Sequence, residues 1–143
     1  MSADLRVERV VAADADNVWS RLTDWEGQGR WMPATRVSSA NGHRVGGVIT
    51  ARTKLGPVGF VDTMTVTRWD PPRRCEVVHT GRIVHGPGSF VVEPMGAHRC
   101  RVVWEERLDL PFGVVGRAAW PLVRPLARAG LAAALRRFAA GLS

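Results

Sequence analysis

Residues 47–110 read GVITARTKLGPVGFVDTMTVTRWDPPRRCEVVHTGRIVHGPGSFVVEPMGAHRCRVVWEERLDL. Val, Ile and Thr recur in alternation, which makes strands, and Gly, Pro and Asp punctuate the runs. The turns fall at Leu55-Gly56-Pro57, at Asp70-Pro71-Pro72 and at Met95-Gly96-Ala97-His98, and between the last two the runs 74–81 and 82–94 each read as a strand. Turns spaced about ten residues apart are the rhythm of an antiparallel meander. Pro111 ends it.

Upstream, Asn41-Gly42 predicts one more hairpin. Residues 24–33, DWEGQGRWMP, read as a short helix broken by Gly27 and Gly29 and ended by Pro33. Before it, Asp14 can cap a helix whose Val18, Trp19 and Leu22 share a face. Residues 4–12 form a first strand, with Leu5, Val7, Arg9 and Val11 in one series and Arg6 and Glu8 in the other. Downstream, residues 113–142 turn helical, and Trp120, Val123, Ala127, Leu131, Ala134 and Phe138 step by three or four along one face. Pro121 and Pro125 each remove an amide donor, so a kink, or a helix proper starting at Pro125, is expected.

The order is strand, two short helices, six strands, one long helix. It predicts a single α+β domain over residues 1–143: a curved antiparallel seven-stranded sheet around a long C-terminal helix, with two short helices after the first strand. A sheet wrapped on a helix leaves a gap between them, and that gap is a natural ligand cavity.

Composition agrees. The chain has 143 residues, 45% apolar and 23% charged, which suits one soluble domain with a real core. It is too short for a two-domain dehydrogenase or a TIM barrel. The opening MSADLRVERV has no signal-like apolar stretch, so a cytoplasmic setting is expected. Twenty basic side chains against thirteen acidic ones leave a net charge of +7. Nineteen of the twenty are Arg and only Lys54 is Lys, a bias that a GC-rich gene produces by itself. Five arginines and no acid lie in residues 113–143, so the body is nearly neutral. A duplex binder shows a basic stripe on its folded body, so no specific nucleic acid is expected.

Several strings resemble the START/Bet v 1-like superfamily, also called SRPBCC, and its bacterial polyketide cyclase/dehydrase and lipid-transport group. They are Val18-Trp19, Asp24-Trp25, Arg30-Trp31-Met32-Pro33, Trp69-Asp70-Pro71-Pro72, His79-Thr80-Gly81, Gly86-Pro87-Gly88-Ser89-Phe90 and Trp104 through Pro111. The resemblance spans nearly the whole chain and implies a helix-grip fold with a deep, largely apolar cavity. Its members include aromatic polyketide cyclases, lipid carriers and plant hormone receptors, so the fold leaves the activity open. Cyclase members of the family are guided by Arg, Tyr and Ser groups in the cavity. This chain has no Tyr, and no catalytic set carries over.

Strand parity selects the cavity-facing residues. Cys100, Val102, Trp104, Glu106 and Leu108 share a face, as do Cys75, Val77 and His79, and Val58, Phe60, Asp62, Met64 and Val66. Three ionisable side chains thus point inward: Asp62, His79 and Glu106. They are the candidate catalytic residues, as a His–carboxylate couple for enolisation or dehydration. The competing reading is a satisfied polar network that closes one end of the barrel. Trp31, Phe60, Met64, Phe90, Trp104 and Phe138 join the trio as expected ligand contacts. Trp19 and Trp69 read as core, as do Cys75 and Cys100, which are too isolated for a zinc site. His43, His85 and His98 read as surface residues. Gly86-Pro87-Gly88 lacks the features of a phosphate loop and reads as a strand kink. Neither a metal nor a cofactor is expected.

The expected function is binding of a hydrophobic small molecule, lipid- or polyketide-like; the alternative is a polyketide cyclase or dehydratase working through the inward acid/base residues. Arg117, Arg124 and Arg128 on the last helix read as a solvated face, or as a transient contact with a membrane surface or an acidic carrier protein.

Overall fold

The computed structural model describes residues 2–142. Strand β1 (Ser2–Val11) leads into helix α1 (Ala15–Leu22) and a 3-10 helix (Glu26–Arg30). Six strands follow: β2 (Thr35–Ala40), β3 (Val48–Leu55), β4 (Val58–Asp70), β5 (Arg74–Thr80), β6 (His85–Pro94) and β7 (Cys100–Asp109). Helix α2 (Gly113–Ala140) closes the chain. The strands form one antiparallel sheet in the order β1-β7-β6-β5-β4-β3-β2, so the predicted seven-stranded helix-grip architecture holds.

Local chemistry sets the short helices. Asp14 caps α1 by accepting the Asn17 amide at 2.8 Å, and Asp16 favours the positive end of the dipole. The face of α1 that carries Val18, Trp19 and Leu22 is buried. The Thr23 hydroxyl closes its end by donating to the Trp19 carbonyl at 2.8 Å. Gln28 then ties the 3-10 helix to α1, donating to the Leu22 carbonyl at 2.9 Å.

The Asn41-Gly42 hairpin exists, but its connection runs over residues 41–47 rather than two residues. The Trp25 indole donates to the Gly42 carbonyl at 2.9 Å, and a Cβ on Gly42 would meet that ring at 2.6 Å. Packing on Trp25 therefore shapes the loop more than the Asn-Gly pair does.

In β4 a bulge between Val66 and Arg68 resets the parity. Without it, Arg68 would follow Asp62, Met64 and Val66 inward. With it, Arg68 lies opposite Glu76 and Trp69 opposite Cys75. Trp69 then meets Trp19 at a ring distance of 5.1 Å and Trp25 at 6.4 Å, so the predicted core role of Trp19 and Trp69 is borne out. Cys75 and Cys100 are buried and free, also as expected.

Helix α2 departs from expectation twice. It is one helix of 28 residues, with Pro121 and Pro125 inside it, and does not start at Pro125. The carbonyls left without a helical donor belong to Arg117 and Pro121, both exposed, where water can supply the missing bond. Nor is the predicted apolar face buried along its whole length. Ala134, Leu135 and Phe138 are buried, but Val123 is 46% exposed, and further along the helix Ala127, Gly130 and Leu131 border empty space.

Candidate functional site

That space is a cavity of about 560 Å³ between the sheet and α2, well within the range of small-molecule sites. Its walls are mostly apolar. Phe60, Met64, Phe90 and Trp104 line it as the alternation predicts. Leu55 and Phe60 both line the cavity and are exposed, so they mark its mouth. On α2 the lining is Ala127, Gly130, Leu131 and Ala134. A Cβ built on Gly130 would meet nothing within 4 Å.

Asp62, His79 and Glu106 also line this cavity, and they touch. His79 Nδ1 donates to Asp62 Oδ1 at 2.7 Å, and Nε2 donates to Glu106 Oε2 at 2.7 Å. The Trp104 indole N–H donates to Glu106 Oε1 at 2.9 Å. His79 is 4% exposed. Burial alone pulls an imidazolium down, but here the bonds and charges of Asp62 and Glu106 outweigh it and push the His79 pKa up to about 10. The result is a cation clamped on both ring nitrogens, with Asp62 Oδ2 lacking a partner among the described residues.

The register explains how the three meet. His79 sits opposite Met64 on β4, diagonal to Asp62. Glu106 lies two strands away on β7, about 10 Å across the sheet. The strand between them places Gly86 opposite His79 and Gly88 opposite Glu106. A Cβ on Gly88 would run into the Glu106 carboxylate and lie 3.0 Å from His79 Nε2. Gly88 is thus a window through which the two side chains bond. The Gly-Pro-Gly string signalled a kink; its part in the site appears only once β6 is known to lie between β5 and β7.

Two expected ligand contacts stand elsewhere. Trp31 and Phe138 are not in the cavity wall but behind it, fully buried. Their rings meet edge-on at 5.2 Å, and Trp31 also meets Trp104 at 6.1 Å, so they fill the core instead. Sequence reasoning missed Trp25, Gln28 and Met32, which line the cavity from the 3-10 helix and its flanks. Cys75, on the inward face that parity assigns it, also lines the cavity; burial pushes its thiol up to about 12, so it is an unreactive wall atom. Among the described residues no group of three or more His, Cys, Asp or Glu could hold a metal ion.

Arg117, Arg124 and Arg128 are exposed. Arg124 has a structural role as well, donating from Nε to the Asp4 carbonyl at 3.3 Å, which ties α2 to β1. Among the described residues no helix is long and apolar enough to cross a membrane.

A curved sheet gripping a long helix over an apolar cavity defines a helix-grip domain. The chain belongs to the polyketide cyclase/dehydrase and lipid transport family, whose model matches residues 2–142. Its fold is similar to that of the Zhui aromatase/cyclase from Streptomyces sp. R1128, with a TM-score of 0.80 at 19% identity over 99% of this chain and 94% of that one. It is also similar to a START superfamily protein from Mycobacterium smegmatis, with a TM-score of 0.76 at 16% identity over 98% and 99%. Norcoclaurine synthase from Thalictrum flavum shares the fold at a TM-score of 0.67 and 17% identity, over 94% and 92%. No curated protein matches the chain.

Proposed function

We propose that this protein takes up a hydrophobic small molecule, lipid- or polyketide-like, in the cavity between sheet and α2. The carrying observation is a largely apolar cavity of about 560 Å³ in which, among the described residues, the charged side chains are those of the Asp62–His79–Glu106 trio. The apolar walls supply affinity by burying ligand surface, and the trio orients its polar end. Native mass spectrometry of the purified protein, with organic extraction of what it carries, is the test. A co-purified apolar molecule is expected. A protein that stays empty, and remains so after incubation with a panel of lipids and aromatic polyketides, overturns the reading.

One observation favours a second reading, a polyketide cyclase or dehydratase. An imidazolium held between two carboxylates at a cavity wall is a proton donor and acceptor set. Here His79→Ala and Glu106→Gln abolish turnover of a poly-β-ketone thioester while binding persists. Turnover that survives both substitutions removes this reading.

A further inference from the structure

The charge balance of the cavity wall decides which polar end a ligand can bring. The lining carries two carboxylates and one histidine, and no Lys or Arg. Among the described residues the N–H and O–H donors there are engaged, except the Ser89 hydroxyl. Both His79 nitrogens serve Asp62 and Glu106, and the Trp104 indole serves Glu106. The Gln28 amide serves the Leu22 carbonyl, and the Thr35 hydroxyl lies within bonding distance of the Pro33 carbonyl and of Thr53. The open charged valence is an acceptor, Asp62 Oδ2.

We propose that the cavity takes apolar molecules whose polar end donates a hydrogen bond, a hydroxyl or an amine, and rejects carboxylates such as fatty-acid anions. This rests on the cavity function proposed above. A hydroxyl entering the cavity gives Asp62 Oδ2 a short charge-assisted bond. A carboxylate entering it sheds its water, finds no free cation, and faces two carboxylates against one imidazolium across a poorly screened space. The single cation is held from both sides and cannot turn to a third anion.

The test uses N-phenylnaphthylamine, an uncharged dye that fluoresces in apolar cavities, displaced by decanol, decylamine or decanoate at neutral pH. The three share one chain and differ only in the head group. Decanol and decylamine are expected to displace the dye at concentrations at least about tenfold below decanoate. Asp62→Asn, which keeps the shape and removes a charge, narrows that gap; Glu106→Gln gives the same readout should Asp62→Asn fail to fold. Decanoate displacing the dye as well as decanol does overturns the proposal and leaves the cavity function standing. Dye that binds nowhere, or that binds equally when Gly130→Leu fills the cavity, overturns the cavity function and the proposal with it.

Discussion

The inner face of the sheet has two ends that share strands and alternation but not packing. At one end Val11, Val92, Cys100 and Val102 meet Leu135 and Phe138 of α2 and leave no space. At the other, Phe60, Asp62, His79 and Glu106 face Ala127 and Gly130 across the cavity. The strands are continuous through both; what changes is side-chain size on the helix. Large residues on α2 make core, and small residues one or two turns earlier make a site. The comparison teaches that α2, as much as the sheet, decides where this domain is solid and where it is hollow.

The largest expected effect tests the solid end. Phe138→Ala removes a fully buried ring and its contact with Trp31, and should cost about 3–5 kcal/mol, lowering Tm by about 10 °C or more. Phe60→Ala in the cavity wall should cost under about 1 kcal/mol, since Phe60 is 38% exposed. Chemical denaturation of the two variants compares them directly. Equal losses would break the distinction between the two ends.

The next effect belongs to the polar trio. The His79 pKa rises from 6.5 to about 10 on folding, so the folded state binds the proton more tightly. Its contribution is fully present below about pH 6.5 and is lost as pH rises through about 10. His79→Gln should therefore destabilise by on the order of 3 kcal/mol near pH 6 and by little near pH 10.5. Urea titrations of both proteins at the two pH values read this out. A gap that widens with rising pH would reverse the assignment of the clamped cation.

Gly88→Ala should act more mildly, at about 1–2 kcal/mol, because the new methyl displaces the Glu106 carboxylate without emptying the core. Its signature is spectroscopic. With the Glu106 bond broken, the His79 ring titrates at a lower pH in an NMR experiment. An unchanged titration would mean that β6 yields and Gly88 is no window.

These residues also mark how far the sequence could be read. His79 and Glu106 were legible because alternation runs unbroken along β5 and β7. Asp62 was legible because the β4 bulge falls after it, at Val66/Arg68, so the parity of its half of the strand is intact. Trp31 and Phe138 were not, since a large aromatic residue on an inward face looks the same whether it lines a void or fills it. The continuity of α2 was not legible either, because Pro121 and Pro125 argue locally against a helix whose exposed side makes them tolerable. Gly88 needed the strand order, and the emptiness at Gly130 needed the distance from sheet to helix; neither is a property of neighbours along the chain.

The smallest expected effect on stability carries the sharpest test of the hollow end. Gly130 lies mid-helix, where glycine is about 1 kcal/mol worse than a good helix former. A side chain there would point into open space rather than into a neighbour. Gly130→Leu should leave stability unchanged or raise it by up to about 1 kcal/mol, while abolishing dye uptake. The two readouts separate the causes: uptake lost at unchanged stability means the volume itself binds the ligand. A loss of several kcal/mol would mean that this part of α2 is packed, and the contrast between its two halves would fail. Uptake retained at unchanged stability would place the dye outside the cavity and overturn the cavity function.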